Sequence, residues 1–123
     1  MARSKTTVRV FAWQGDVAAV TDAWAVDLGF ERGPSDDGVL EYWGQVQGTK
    51  ETQVGGCYVT ATQKEGQVEL RFAIVTIGLT SMFTRRPSWF GIESGGFLWF
   101  LHRRRARVAA NDLLARFGQP PVT

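Results

Sequence analysis

Six arginines near the carboxyl end of this chain have the chemistry to bind anions. Arginine presents its N–H donors in a planar fork that fits carboxylate and phosphate oxygens. On a helix, Arg103 and Arg107 would share a face, and the arginines at 104 and 105 would be turned about 100° and 200° away from Arg103. Such a fan suits several anionic groups around a helix, whereas the ordinary alternative is a solvated charged face. The candidate anion-binding residues are Arg85, Arg86, Arg103, Arg104, Arg105 and Arg107.

These arginines flank an apolar segment, 88–101, that ends in five consecutive apolar residues. Because a helix or strand turns only one face to the core, those five side chains cannot all point inward. The segment is far shorter than the roughly 20 residues needed to span a bilayer. We expect either a buried crossover between sheet and helix or an interface, most simply with a second copy. The candidate interface residues are Trp89, Phe90, Ile92, Phe97, Leu98, Trp99, Phe100 and Leu101.

Other residue types that could do chemistry are isolated in the sequence. Cys57 and His102 are the single cysteine and the single histidine, so a disulfide or thiolate cluster within one chain is excluded. Together they could form a nucleophile and base, but a small core cysteine and a solvated histidine are the ordinary interpretation. The two neighbouring aspartates Asp36 and Asp37 are typical of a turn, although their carboxylates could also form a weak cation site. We therefore predict no catalytic residue, no metal site and no cofactor.

Positive charge is concentrated in the last third of the chain, although the net charge is only +2. Residues 1–81 hold seven Lys and Arg against ten Asp and Glu, whereas residues 82–123 hold seven arginines against two acidic residues. This asymmetry predicts either an anionic partner or complementarity within the fold. Nucleic acid is the less favoured partner, since the acidic first two-thirds would repel a long polyanion.

The first third of the chain predicts a strand followed by a helix. Alternation over 6–13 indicates a half-buried strand. Asp16 stands at the N-cap of a helix over 17–28, and Gly29 stands where a left-handed C-cap belongs. Phe30 could then fold back onto the last helical turn.

The middle of the chain predicts antiparallel strands. Residues 39–43 are strand-like, with Tyr42 and Trp43 on opposite faces. Two alternating runs on either side of a turn at 64–66 predict a hairpin. Its second strand is apolar on both faces over 72–77, which is typical of a central strand covered on both sides.

The last part predicts a further strand or loop at 79–84 and then a helix. A helical stripe of apolar residues over 106–117 stops at Gly118. Ser94 could cap this helix, or the helix could start near His102 and leave 95–101 extended. The element order β-α-β-β-β-(β)-α predicts one α+β domain over 1–123, a mainly antiparallel sheet of about four to five strands with two helices on one face.

The chain as a whole is expected to be a cytoplasmic, non-enzymatic binding or assembly module. The polar N-terminus predicts no signal peptide. Docking would use the apolar segment and its arginines, with a protein partner or a homo-oligomer, and an anionic ligand or a membrane surface as further partners. The alternative is a small-ligand-binding domain or enzyme. It would have an aromatic-lined pocket between sheet and C-terminal helix, where an arginine holds an anionic group.

Overall fold

The computed structural model describes residues 6–33, 38–45, 55–76, 88–92 and 100–123, with the backbone alone at 45, 55, 76, 88–90 and 100–103. In chain order the elements are β1 (Thr7–Ala12), α1 (Val17–Leu28), β2 (Glu31–Arg32), β3 (Val39–Gln45), β4 (Gly55–Lys64), β5 (Gln67–Thr76), β6 (Ser88–Phe90) and α2 (Phe100–Arg116).

The strands in the described ranges form one antiparallel sheet in the order β1-β5-β4-β3-β2. β6 also pairs with β5, beyond the point where β1 begins. The predicted α+β class, the antiparallel sheet and the central position of β5 are confirmed. The two-residue strand β2 was not predicted, because so short a strand has no periodicity to reveal it. The predicted strand or loop at 79–84 lies outside the described residues.

The β4–β5 hairpin has the predicted turn. Lys64 and Gln67 are register partners, so the two residues between them make the connection. Both have positive φ angles, 53° at Glu65 and 78° at Gly66. This is the left-handed pair of a type I′ turn, whose twist matches that of the flanking strands.

Helix α1 has the predicted caps. The Asp16 carboxylate accepts a hydrogen bond from the Ala19 N–H at 3.3 Å, and Gly29 is left-handed with φ 79°. The Phe30 N–H donates to the Ala25 carbonyl at 2.8 Å, which folds the chain back as a Schellman motif does. The Phe30 ring then packs on Trp24, with centroids 4.4 Å apart. The whole predicted helix end is confirmed.

The helices pack on one face of the sheet, and the core lies between them and the strands. As predicted, Trp43 lies on the opposite face of the sheet from Tyr42; Trp43 is 40% exposed, whereas Tyr42 is buried. The aromatic side chains of Phe11 in β1 and of Trp13 just after it pack against the core, whereas Val10 of β1 is 55% exposed. One row of register partners across the sheet is fully buried: Thr7, Phe72, Val59 and Tyr42.

Helix α2 closes the core. Within the described residues it begins at Phe100, near the predicted start at His102; Ser94, the other predicted start, lies outside them. Its end is confirmed, because Gly118 is left-handed with φ 72°. Phe117 packs against Trp13 with ring centroids 4.9 Å apart. The Trp24 indole N–H donates to the Ala109 carbonyl at 2.9 Å, which joins α1 to α2.

Candidate functional site

The structure describes the candidate docking residues only in part. Arg85, Arg86 and 97–99 lie outside the described residues. Trp89 and Phe90 are backbone register partners of Val75 and Ile74 in β5. The backbone of Phe100, Leu101 and Arg103 forms the start of α2, in which Arg104 and Arg105 follow as exposed residues.

Ile92 and Arg107 have an internal role. The Ile92 side chain is fully buried in the core, so the interpretation of Ile92 as a surface interface residue is wrong. Its N–H donates to the Thr7 hydroxyl at 2.9 Å, and the Arg107 guanidinium donates to its carbonyl at 2.9 Å. The chain after β6 is thereby tied both to the start of β1 and to α2.

This tie predicts the effect of Thr7→Val. We expect the free energy of unfolding to fall by about 1–3 kcal/mol, because the buried Ile92 N–H loses its acceptor while the shape of the side chain is kept. Thr60→Val is the matched control, since Thr60 is 9% exposed in the same sheet and its hydroxyl makes no hydrogen bond to the described residues. Urea denaturation measures both changes, and amide exchange at Ile92 should accelerate only in Thr7→Val. Equal effects of the two substitutions would contradict this role.

An open apolar groove of about 240 Å³ lies between α2, the end of α1 and β4. Short alanine side chains on α2 leave the space, and the buried Cys57 of β4 contributes to its floor. Arg105 adds a cation to an otherwise apolar lining. The lining residues are Leu28, Phe30, Cys57, Arg105, Ala106, Val108 and Ala109.

The Phe30 wall of this groove depends on Gly44 of β3. A Cβ atom at position 44 would come within 2.7 Å of the Phe30 ring. Atoms of the core do not approach so closely, so any larger residue at 44 would displace the ring. The Schellman turn and the missing side chain at 44 together place Phe30 at the groove.

The outer face of the helical layer, α1 and α2 together, exposes apolar side chains. Val26 of α1 is 80% exposed and Val108 of α2 is 67% exposed. Ala19 and Ala23 are also exposed on α1, and the buried residues of that helix are mostly apolar too. Neighbouring exposed apolar residues on one helix face often mark a contact surface. The sheet and α2 cover the other side of α1, where Val17, Thr21, Trp24 and Ala25 are buried.

The two helices carry opposite charge. Residues 17–28 hold two aspartates and neither lysine nor arginine, whereas residues 100–116 hold five arginines and one aspartate. Arg116 joins the two helices, since its guanidinium lies 2.8 Å from Asp27 and 2.7 Å from Asp112. Part of the predicted internal complementarity is therefore present. Arg104 and Arg105 lie exposed at the other end of α2.

A polar network between α1 and β3 was missed by the sequence analysis. The Tyr42 hydroxyl donates to Asp22 at 2.6 Å and lies 2.6 Å from the Thr21 hydroxyl, while Arg32 donates to Asp22 at 2.9 Å. Burial and the hydrogen bond to Asp22 raise the pKa of Tyr42 to about 12. The phenol therefore stays protonated near neutral pH and fixes α1 on the sheet. The sequence pattern gives no sign of this network, because Asp22 is 10 residues from Arg32 and 20 residues from Tyr42 along the chain.

The opposite face of the sheet carries an aromatic pair. Trp43 and Tyr58 have ring centroids 4.7 Å apart, and the Tyr58 hydroxyl donates to the Glu41 carboxylate. Burial and this hydrogen bond raise the pKa of Tyr58 to about 12. The two rings contact each other, so they cover this part of the sheet and leave no cleft between them.

The described part of the chain gives no evidence of a metal site, a Cys57–His102 pair or a membrane-spanning helix. There, no group of three or more His, Cys, Asp or Glu residues could hold a metal ion. Cys57 is confirmed as a small core residue, 1% exposed, and the side chain of His102 is not described. None of the helices in the described ranges is long and apolar enough to cross a membrane.

Comparison with known proteins gives no relative from which a role could be transferred. No protein-family model matches the chain, and neither a curated protein nor a solved structure matches it.

Proposed function

We propose that this chain is a non-enzymatic binding and assembly module that docks a partner polypeptide on the outer face of its helical layer. One observation carries the proposal: an open apolar groove lies directly beside the exposed Val108 and the exposed arginines of α2. An apolar centre with a charged rim is the usual composition of a protein interface. The candidate interface segment 88–101 leads directly into this part of α2.

The size of the groove favours a partner side chain over a free ligand. Pockets for drug-sized ligands have volumes of roughly 300–1,000 Å³. This groove has about 240 Å³ and is open to solvent, which suits one bulky apolar side chain of a partner.

The charge beside the groove selects the chemistry of that partner. Arg104 and Arg105 favour carboxylates next to the inserted side chain. The acidic helix α1 lies against α2 and would repel a long polyanion or an anionic membrane. An acidic polypeptide segment with an apolar residue fits both features. A cytoplasmic location stays part of this proposal, since a lone cysteine suits a reducing compartment.

A small-ligand-binding domain or enzyme is the alternative proposal. Arg105 in the groove lining supports it, because an arginine beside apolar walls suits an amphipathic anion. Among the described lining residues, the only other reactive side chain is that of Cys57, whose pKa is raised to about 12 by burial. That pKa leaves the thiol protonated near neutral pH, which favours binding over turnover.

Two matched peptides test the proposal. One has two leucines flanked by glutamates and the other has the same leucines flanked by lysines. In NMR titrations of the full chain at low salt, we expect the acidic peptide to shift the amides of Phe30, Arg105, Val108 and Ala109. We expect affinity on the order of 1 mM or better for the acidic peptide, and binding at least about tenfold weaker for its lysine twin.

Reversing the charge at position 105 tests whether the preference for the acidic peptide comes from Arg105. Arg105→Glu should reverse the preference between the two peptides. Arg71→Glu changes an exposed arginine on the opposite face of the sheet, so it should leave the preference unchanged. Absence of shifts, or equal shifts with both peptides in every variant, would overturn the proposal.

A further inference from the structure

We infer that the opposite face of the sheet, which is turned away from the helices, binds an arginine-bearing segment of a partner polypeptide at Trp43. The inference goes beyond the proposed function, because it concerns another side of the molecule and a partner of opposite charge. Trp43 is 40% exposed, and its indole N–H makes no hydrogen bond to the described residues. Tryptophan is among the residues that most often anchor protein interfaces.

Packing fixes the Trp43 ring on the sheet. A Cβ atom at Gly56 of β4 would lie 3.6 Å from the six-membered ring of Trp43, and the ring centroid of Tyr58 is 4.7 Å away. Gly56 and Tyr58 are two residues apart in one strand, so both belong to this face. The ring thus lies over β4 as an open surface, not as the wall of a cleft. Because small ligands usually need a concave pocket, this surface suits a side chain of a partner polypeptide.

Two carboxylates flank the Trp43 ring on the same face. Glu31 is the register partner of Trp43, and such partners have Cβ atoms about 4.5–5.5 Å apart. The next residue, Arg32, donates to Asp22 of α1 on the helix side, so Glu31 belongs to the opposite face. Glu41 precedes Trp43 by two residues in β3 and therefore shares that face too.

Neither carboxylate has a cationic partner among the described residues. Glu31 forms no hydrogen bond or ion pair with them. Glu41 accepts a hydrogen bond from the Tyr58 hydroxyl, which orients the carboxylate but leaves its negative charge uncompensated. Arg71 lies two strands from Glu41 on this face, and its charge is paired with Glu69. This part of the sheet therefore attracts a cation.

An arginine side chain fits the combination of ring and carboxylates. A guanidinium group stacks on the face of an indole, and its N–H donors can at the same time bind a carboxylate beside the ring. Two arginines separated by one residue in an extended segment lie about 7 Å apart on one side, which is also the spacing of Trp43 and Glu41 along β3. We therefore expect one arginine over Trp43 beside Glu31 and a second one at Glu41.

A pair of matched peptides tests the inference. One is Gly-Arg-Gly-Arg-Gly with blocked ends, and its twin has citrulline in place of each arginine, which keeps the shape and removes the charge. In NMR titrations of the full chain at low salt, we expect the arginine peptide to shift the Trp43 indole N–H and the amides of Glu31 and Gly56. We expect a Kd on the order of 1 mM, and binding at least about tenfold weaker for the citrulline peptide.

Three substitutions locate the site: Trp43→Leu, Glu31→Gln and Glu41→Gln. The first keeps an apolar side chain without the aromatic ring, and the other two each remove one negative charge. Each should weaken binding at least about threefold, measured at the Gly56 amide, while the rest of the spectrum shows that the variant is folded. Glu65→Gln is the matched control, because it removes the same charge at an exposed position in the β4–β5 turn and should leave binding unchanged.

Four results would each overturn the inference: no saturable shift with the arginine peptide, equal binding of the citrulline peptide, unchanged binding in Trp43→Leu, or an equal loss in Glu65→Gln. Shifts confined to Phe30, Arg105 and Val108 would also overturn it, since they would place the arginine peptide at the groove. The proposed function is tested separately, by the acidic peptide at the groove, so either can fail while the other stands.

Discussion

Replacing Trp24 with alanine is expected to lower the free energy of unfolding by about 3–5 kcal/mol, a large part of the roughly 5–15 kcal/mol of a typical domain. Trp24 is fully buried, and its ring packs on Phe30 and on Tyr42 with centroids 4.4 and 5.9 Å away. Its indole N–H also joins α1 to α2 through the Ala109 carbonyl. The substitution therefore leaves a cavity and removes a link within the helical layer.

Trp43→Ala is the matched control for this effect. The same ring is removed, but Trp43 is 40% exposed on the other face of the sheet, so the loss should be clearly smaller. Urea denaturation at neutral pH compares the two. Trp24→Phe keeps a ring in the core and provides a folded variant if Trp24→Ala does not fold. Equal losses for Trp24→Ala and Trp43→Ala would show that Trp24 does not hold the layer together.

Raising the pH should destabilise the chain through Cys57. Burial raises the pKa of this thiol from its usual 9.0 to about 12. Above pH 9 the unfolded chain loses the thiol proton while the folded chain keeps it, so stability falls with pH until the folded pKa is reached. The slope from this group is about 1.4 kcal/mol per pH unit, or about 2–3 kcal/mol between pH 9 and pH 11.

Cys57→Ala isolates this contribution. The variant loses some stability at all pH values because of the smaller side chain, so the slopes above pH 9 are compared, not the stabilities themselves. Tyr42 and Tyr58, whose pKa values are also raised to about 12, act equally in both chains. Urea denaturation from pH 7 to pH 11 should give a shallower decline in Cys57→Ala. Equal slopes would mean that the thiol ionises in the folded chain as it does in the unfolded one.

Those parts of the fold that depend on local rules could be predicted from sequence. The caps Asp16 and Gly29, the turn at 64–66 and the α2 end at Gly118 each depend on a few neighbouring residues. The α+β class followed from the order of those elements. Strand β2 could not be found, because its two residues are too few to show a periodicity and their partners, Trp43 and Tyr42, are remote in sequence.

The candidate site was harder to predict, because burial depends on packing. Ile92 shares its segment with the candidate interface residues, yet the tie to Thr7 and Arg107 places it in the core. The groove depends on Gly44, which is remote in sequence from Phe30. The sequence holds one signal of the exposed apolar face. The solvent side of α1 has Ala19, Ala23 and Val26 where a helix covered on one face would have charged residues.

The central claim, that the outer face of the helical layer is a docking surface, is tested most directly at the methyl groups of Val26 and Val108. Their exposure to a soluble paramagnetic probe can be measured by NMR with and without the acidic peptide. We expect both valines to become shielded when the peptide binds, whereas Val10 on the opposite face of the sheet stays equally exposed. Val26 and Val108 methyl groups that remain equally exposed at saturating peptide would contradict the claim.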